Sequence, residues 1–216
     1  MEGSEETIRR VLPRGRNALD RDSVAASQRT RLLEAIGKLT AEQGFQATTI
    51  AEIVSEAGVA KPTFYKYFES KDACLGAYLE DRIGILVTSI AESVGIRDST
   101  ERRIFHGLSA LAEFVAADPE RARVILIESV AAGDFGRRQI EAMHELFADF
   151  YISLREETRS VRPEVPPLSR VRAQAIVGAI YEPIVAIVRD DRFEDLPEVR
   201  DELIEAVTML ATTPFG

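Results

Sequence analysis

The sequence is poor in the residues that hold a fold together through disulfides or metals. It contains one cysteine, Cys74, so no disulfide can form within the chain, and a reducing compartment is the expected setting. The two histidines, His106 and His144, have no cysteine or carboxylate at ligand spacing beside them. We therefore expect no metal site and no cofactor, and we interpret Cys74 as a packed side chain rather than a redox switch.

Long apolar runs are lacking as well. The first ten residues contain three glutamates and no apolar core, a pattern that argues against a signal peptide. Residues 173–188 form the longest apolar stretch, but polar residues interrupt it and it falls short of a bilayer span, which predicts a buried helix. We expect a cytoplasmic protein with no membrane partner.

The chain also lacks an overall positive charge, because its net charge is −9. This argues at first against a nucleic-acid partner, since phosphate binding depends mainly on lysine and arginine. The charge is unevenly distributed, however: residues 1–71 carry 11 basic and 10 acidic side chains, so the excess of acid lies in the remaining residues. The chain is therefore expected to have two electrostatically different parts.

Apolar residues recur at spacings of three and four almost throughout, and alternation of apolar and polar residues is rare. This predicts an all-α fold, which glycine, proline and polar breakers divide into about nine helices. Residues 1–22 lack apolar periodicity and are interpreted as a flexible basic arm. Residues 23–71 are expected to form one domain, and residues 72–216 a second.

Within residues 23–71 the helix boundaries are marked by specific residue types. Gly44 should end a first helix, and Thr49 should begin a second, with Glu52 reaching back to complete a capping box. Gly58 should end this short helix, and Pro62 suits the first turn of a third, where its missing N–H costs nothing. The spacing predicts a tight helix-turn-helix.

The third helix is expected to have one buried and one exposed face. Phe64 and Phe68 stand one turn apart and should pack onto the first two helices. The other face mixes cations, hydroxyls and aromatic rings, which suits phosphates and base edges; the alternative is that the lysines form a solvated surface. Its residues are Lys61, Thr63, Lys66 and Tyr67, with Tyr65 at the flank.

Over residues 31–75 the sequence resembles the DNA-binding signature of the TetR (tetracycline-repressor-like) family. The resemblance implies that the third helix enters the major groove of double-stranded DNA, and that Thr49 and Lys71 hold backbone phosphates. Ala60 and Tyr67 stand where the family often has serine and histidine. The matching residues are Gly44, Phe45, Thr48, Thr49, Ile50, Ile53, Ala57, Gly58, Val59, Thr63, Phe64, Tyr65, Phe68, Ser70, Lys71 and Asp72. The implied groove contacts are Lys61, Pro62, Thr63, Tyr65, Lys66 and Tyr67.

The N-terminal arm contains a Pro-Arg-Gly-Arg segment that resembles a minor-groove hook. Arg14 and Arg16 would be its cations, because arginine suits a narrow, electronegative minor groove. A solvated charged tail explains the same pattern.

For residues 72–216 the resemblance implies helices around a ligand pocket, followed by two helices that form a four-helix bundle with a second subunit. The segment 169–189 is apolar on all sides, which predicts that it is covered from two directions, by a homodimer partner or by the chain's own core. The predicted interface residues are Val177, Gly178, Ile180, Ile184, Leu203, Val207 and Leu210.

A ligand pocket with an aromatic, apolar lining is predicted from the large side chains of this second domain, although most of them would also suit a plain core. Glu128 is the polar exception: it could meet a cationic ligand or pair with an arginine such as Arg82 or Arg103. The candidates are Leu79, Ile83, Leu86, Phe105, Leu108, Phe114, Ile127, Glu128, Phe135, Met143, Phe147, Phe150, Tyr151 and Tyr181.

Taken together, these patterns predict a homodimeric, ligand-responsive transcriptional regulator rather than an enzyme, since no catalytic motif is present. The expected mode is repression, with release from a palindromic operator when a small, largely apolar effector binds. Two alternatives remain open at this point: an activator of the same fold, and a structural DNA-binding protein without an inducer.

Overall fold

A computed structural model of the chain describes residues 16–212, with side chains from residue 25 onward. All regular secondary structure in this part is helical. The helices are α1 (Arg16–Gln43), α2 (Ile50–Glu56), α3 (Lys61–Tyr67), α4 (Lys71–Ser93), α5 (Thr100–Ala117), α6 (Pro119–Arg123), α7 (Ser129–Ala131), α8 (Asp134–Val161), α9 (Arg170–Arg189) and α10 (Leu196–Thr212). A π-helical segment, Val124–Glu128, joins α6 to α7, and a 3₁₀ turn, Phe193–Asp195, precedes α10.

Since α6, the π segment and α7 follow one another without a break, residues 16–212 contain nine continuous helices. This confirms the all-α prediction with an N-terminal helix-turn-helix and a helical C-terminal domain. One boundary differs. Helix α1 begins at Arg16, inside the stretch interpreted as a flexible arm, because the helix formers Ala18, Leu19 and Arg21 extend it although the stretch has no apolar stripe. Residues 1–15, including Arg14, lie outside the described residues, as does the side chain of Arg16.

Local capping explains where the helices of the first domain begin and end. Gly44 and Gly58 have positive φ angles of 82° and 60°, which only glycine adopts without strain. Thr49 and Glu52 form the predicted capping box: the Thr49 N–H donates to Glu52 Oε2 at 2.8 Å, and the Glu52 N–H donates to Thr49 Oγ1 at 3.3 Å. Ser70 accepts a hydrogen bond from the Ala73 N–H at 3.0 Å and starts α4.

Two large apolar clusters form the core. The first joins α1 to α4 around fully buried Leu32, Ile53 and Phe64, and continues into the second domain through Val124 and Met143. The second joins α5, α8, α9 and α10. Because the first cluster crosses position 71, packing is continuous there, and α4 contributes to both domains.

Helix α9 is the centre of the second cluster. Its 20 residues satisfy the length and composition of a membrane span, so the stretch is longer than the sequence suggested. Yet Ile176, Ile180 and Ile184 on one side of it are buried against neighbouring helices of the same chain. One side of the helix is therefore covered within the chain, while Val171 on the other side is exposed.

Candidate nucleic-acid interface and ligand cavity

Helix α3 presents the two faces that the sequence predicted. Phe64 and Phe68 are buried in the first apolar cluster, and their rings lie 5.7 Å apart. On the opposite side Lys61, Pro62 and Lys66 are exposed, and Tyr65 is 51% exposed. Since the face carries no acidic side chain before Glu69, it has the chemistry that phosphates and base edges require.

Ala60 and Tyr67, the two departures from the family pattern, have structural consequences. Ala60 is the N-cap of α3 and makes no side-chain cap, so the helix start depends on Pro62 and on the backbone bond from Thr63 N–H to Ala60 O at 2.8 Å. The Tyr67 hydroxyl donates to Gln28 Oε1 on α1 at 3.2 Å. Tyr67 on α3 is thus tied to α1, whereas Tyr65 is half exposed.

Lys71, which was expected to hold a backbone phosphate, contacts carbonyl oxygens of its own chain in this structure. Its Nζ donates to the carbonyl oxygens of Phe45 at 2.7 Å, Thr48 at 2.8 Å and Gln46 at 3.4 Å, which uses its three donors. Burial lowers the pKa of this ammonium group. The residue therefore closes the loop between α1 and α2. Thr49 is exposed at the start of α2, but its hydroxyl is engaged with Glu52.

An apolar cavity of about 80 Å³, which we call the first cavity, lies among α4, α5, the π segment, α8 and α9. It brings together seven of the predicted pocket residues: Ile83, Leu86, Phe114, Met143, Phe147, Tyr151 and Tyr181. Its lining also includes residues that the sequence did not single out, chiefly Ile90, Leu111, Ile125 and Leu126.

The remaining candidates lie elsewhere. Leu79 is buried in the first cluster, Ile127 packs against the second, and Phe105 is 46% exposed. Phe135 packs against the first cluster and Phe150 against a small third one. These positions share the helical spacing of the true lining, so sequence periodicity could not separate them.

Glu128 accepts a hydrogen bond at 3.4 Å from the Phe45 N–H, across 83 positions of sequence. Neither arginine considered as its partner meets it: Arg82 pairs with Glu34, and Arg103 with Glu157. Glu128 therefore joins the π segment to the loop that Lys71 also holds.

His144 was missed as a cavity residue. Its ring lies 4.6 Å from that of Tyr181 in an edge-on arrangement, and both line the first cavity. Burial lowers the pKa of the imidazole, and within residues 25–212 its Nε2 has no hydrogen-bond partner. The sequence did contain a sign of this position, because His144 stands next to Met143 and one turn before Phe147, which were both predicted to line the pocket.

Cys74 is fully buried, and burial raises the pKa of its thiol to about 12, so the thiol stays protonated.

A second cavity, also of about 80 Å³, adjoins the first and reaches Ala211 near the C-terminal end of α10. Ile90, Tyr151 and Ile180 line both cavities. The second cavity includes predicted Leu108 and, unlike the first, has a charged end, where Arg103 and Arg155 lie beside Thr158.

Most of the predicted interface residues face the chain's own interior. Val177, Ile180, Ile184, Leu203 and Val207 are buried in the second cluster, so the chain by itself already covers these side chains. Leu210 is partly buried there, whereas a Cβ built on Gly178 would meet nothing within 4 Å. The exposed apolar side chains of these helices are Val171, 75% exposed, and Met209, 62% exposed.

Comparison with known proteins gives a consistent pattern. The sequence profile described as "Bacterial regulatory proteins, tetR family" matches residues 32–78. The transcriptional activator FasR of Mycolicibacterium smegmatis is 29% identical over 109 residues, which span 50% of this chain and 48% of FasR. The fatty acid metabolism regulator protein of Bacillus subtilis is 22% identical over 176 residues, or 81% of this chain and 91% of that protein.

Solved structures share the fold. FadR of Bacillus subtilis, determined in complex with stearoyl-CoA, superposes with a TM-score of 0.70 at 21% identity, covering 86% of this chain and 99% of FadR. A TetR-family regulator from Syntrophomonas wolfei gives a TM-score of 0.73 at 18% identity, covering 87% of this chain and 96% of that one.

Proposed function

We propose that this chain, which belongs to the tetR family of bacterial transcriptional regulators, is a homodimeric repressor that leaves a palindromic operator when a long, apolar effector binds. Its site of action would be the cytoplasm or nucleoid. The observation that carries the proposal is the combination of an exposed, acid-free α3 face with an apolar cavity that shares helix α4 with the DNA-binding domain.

For DNA, we propose that α3 lies in the major groove, with Lys61, Pro62, Thr63, Tyr65 and Lys66 as contacts. Thr49 at the start of α2 would meet the phosphate backbone, and Arg14 and Arg16 would add minor-groove contacts. The nearly neutral charge of residues 1–71 beside an acidic remainder keeps nonspecific attraction weak, so specificity would depend on base contacts.

For the dimer, we propose the exposed side of α9 and α10 as the interface. Val171 and Met209 supply apolar surface there, and Ala175 and Gly178 allow close helix approach. Two copies related by a twofold axis present two α3 helices, which matches the two half-sites of a palindrome.

For the effector, we propose a fatty acyl compound. The lining of the first cavity is almost wholly apolar, a similar sequence is named a fatty acid metabolism regulator, and a similar structure contains stearoyl-CoA. At about 80 Å³ the cavity is smaller than a cavity of roughly 150 Å³ that holds benzene. An acyl chain therefore has to displace helices as it enters, so it favours a different conformation from the one described.

That displacement can reach the DNA through two connections. Helix α4 lines the cavity at Ile83 and Leu86 and begins at Lys71, which holds the loop before α2. The π segment lines the cavity at Ile125 and ends at Glu128, which contacts the same loop. A coupling of about 1 to 3 kcal/mol would change operator affinity by roughly 5- to 150-fold.

A test starts with the purified protein and a random DNA pool. We expect the selected DNA to contain an inverted repeat, the complex to contain a dimer, and hexadecanoate or its CoA thioester to release the DNA without dissociating the dimer. Selection of no sequence, or retention of DNA by acyl-loaded protein, would overturn the proposal.

An activator is the second candidate, because FasR, similar over half of this chain, is named a transcriptional activator. A reporter gene behind the selected operator separates the two: deletion of the regulator raises expression for a repressor and lowers it for an activator. No change in either direction would favour a structural DNA-binding protein. We propose no catalytic activity.

A further inference from the structure

Two arginines of the second cavity are buried. Arg103 on α5 and Arg155 on α8 are each only 8% exposed, although arginine is among the residues least often buried without a partner. Both line the cavity together with the hydroxyl-bearing side chain of Thr158. Sequence periodicity gave no sign of them, because isolated arginines on amphipathic helices are usually solvated.

The positive charge of this pair is poorly neutralised. Arg155 donates to the carbonyl oxygens of Pro166 at 3.3 Å and Ala211 at 3.1 Å, and within residues 25–212 it makes no ion pair. Arg103 donates to Leu154 O and Thr158 Oγ1, and its one carboxylate partner, Glu157, is 3.4 Å away and more than half exposed. Burial and the neighbouring cations lower the pKa of Arg155, which reports the same imbalance.

Unused donors remain at the charged end. A guanidinium has five N–H donors. Two hydrogen bonds from Arg155 leave three of them for a ligand, and the donors are planar and fixed in direction, which suits a carboxylate. Backbone carbonyls accept hydrogen bonds but carry no net charge, so an anion is the missing component.

The charged end adjoins the apolar first cavity. Ile90, Tyr151 and Ile180 line both cavities, so these side chains lie between the charged end and the first cavity. No residue within 25–212 shares a hydrogen bond with the Tyr151 hydroxyl, and desolvation raises its pKa to about 12, so it stays protonated and available as a donor.

We infer that the second cavity binds the carboxylate of a free fatty acid, with Arg103 and Arg155 as its partners, Tyr151 beside the chain, and the acyl tail in the first cavity. This deepens the proposed function and rests on it. The head would lie where α4 ends, near Val94, and the tail would lie beside Ile83, nearer the DNA-binding domain. The thioester group of an acyl-CoA is uncharged and would leave the two buried cations unpaired at the place where an acid has its carboxylate, so the assignment favours the acid over its CoA derivative.

The competing explanation is structural. Arg155 donates to Ala211 O in the last turn of α10, where a cation stabilises the helix end without any ligand. A purely structural arginine would affect charged and neutral ligands equally, so the experiment compares them.

Binding of dodecanoate and hexadecanoate, the matching primary alcohols and the matching acyl-CoA thioesters is measured by calorimetry on the full chain. The variants are Arg155→Met and Arg103→Met, with Arg138→Met, an exposed position on the same helix as Arg155, as the control. Thermal melting identifies any variant that fails to fold, and the other variant then carries the comparison.

We expect the wild type to bind each acid at least about tenfold more tightly than its alcohol. Each cavity variant should lose that preference by weakening the acid alone, and Arg138→Met should change neither. Equal affinity of acid and alcohol in the wild type, equal weakening of both in the variants, absence of acid binding, or tightest binding of the thioester would each overturn the inference. If the alcohols still release DNA, the proposed function holds even where the carboxylate assignment fails. If the ligand-free protein selects no operator, the proposed function fails, while the measured affinities for acid and alcohol are unaffected.

Discussion

The Lys71 ammonium nitrogen lies 2.7 Å from the carbonyl oxygen of Phe45 and 4.2 Å from the centre of the Phe45 ring. One side chain therefore ties the first residue of α4 to the loop between α1 and α2. The same loop receives Glu128 from the π segment, so two separate elements that line the ligand cavity meet the DNA-binding domain at Phe45.

Replacing Lys71 should affect stability more than DNA electrostatics. Lys71→Met removes three hydrogen bonds from a charged donor and is expected to lower the free energy of unfolding by about 2 kcal/mol. Lys66→Met, on the exposed face of α3, should leave stability unchanged and reduce the salt dependence of DNA binding by about one phosphate contact. Urea melts measure the stability of both variants, and operator affinity at several salt concentrations measures their phosphate contacts. A reduced salt dependence in Lys71→Met with unchanged stability would instead place Lys71 on a phosphate.

The two faces of α3 should separate stability from recognition. Tyr65→Ala is expected to weaken binding to the selected operator by about 1 to 3 kcal/mol with little change in unfolding, because Tyr65 is half exposed. Phe64→Ala should destabilise the fold by about 3 to 5 kcal/mol, because its side chain is fully buried. Anisotropy titrations and urea melts measure both. A large stability loss with Tyr65→Ala would contradict the recognition role.

Glu128 should matter for communication rather than for either binding event. Glu128→Ala removes the contact with the Phe45 N–H, so we expect the change in operator affinity on adding hexadecanoate to shrink by about 0.5 to 2 kcal/mol. Glu141→Ala, exposed on α8, is the control. Operator affinity is measured with and without the acid, and an undiminished response in Glu128→Ala would remove this connection.

The proposed dimer face can be tested by charge. Val171→Glu together with Met209→Glu places carboxylates on the exposed side of α9 and α10, and should shift the protein from dimer to monomer because neither residue belongs to the buried core. Sedimentation equilibrium gives the mass, and a melting curve confirms that the monomer is folded. A double variant that stays dimeric would move the interface elsewhere.

His144 predicts an acid-dependent loss of stability. Burial holds the folded-state pKa below the ordinary value of 6.5, with Glu182 and Glu145 offsetting part of this. The unfolded chain therefore binds a proton first, and the free energy of unfolding should fall as pH drops through 6.5 toward the lower folded-state value. His144→Gln should remove this loss of stability below pH 6.5, as measured by urea midpoints. An unchanged pH profile in the variant would assign the loss to other groups.

The helix-turn-helix could be predicted because its signals are local. Thr49 and Glu52 are three positions apart, and the turns at Gly44 and Gly58 depend on the backbone of those residues alone. The hydrogen-bond partners of the Lys71 side chain could not be predicted in this way. A lysine at the start of a helix suits a phosphate or a carbonyl equally well, and its choice depends on where a loop 26 positions away folds.

The composition of helix α9 does not predict which neighbours cover each of its sides. Its composition predicted cover from two sides; Val177, Ile180 and Ile184 face the chain's own core, whereas Val171 on the other side is exposed. Similarly, the apolar side chains of the second domain predicted an apolar pocket, while seven of the candidates line it and the others lie elsewhere.

The sequence by itself determined the helical fold, the caps and turns of the first domain, and the acid-free face of α3, because each depends on residues within about one or two turns of one another. Only the tertiary structure decided which apolar residues enclose a cavity, which arginines are buried at its charged end, and which loop joins cavity to DNA-binding domain. These depend on contacts such as that of Glu128 with Phe45, where packing brings together groups 83 positions apart that no periodicity relates.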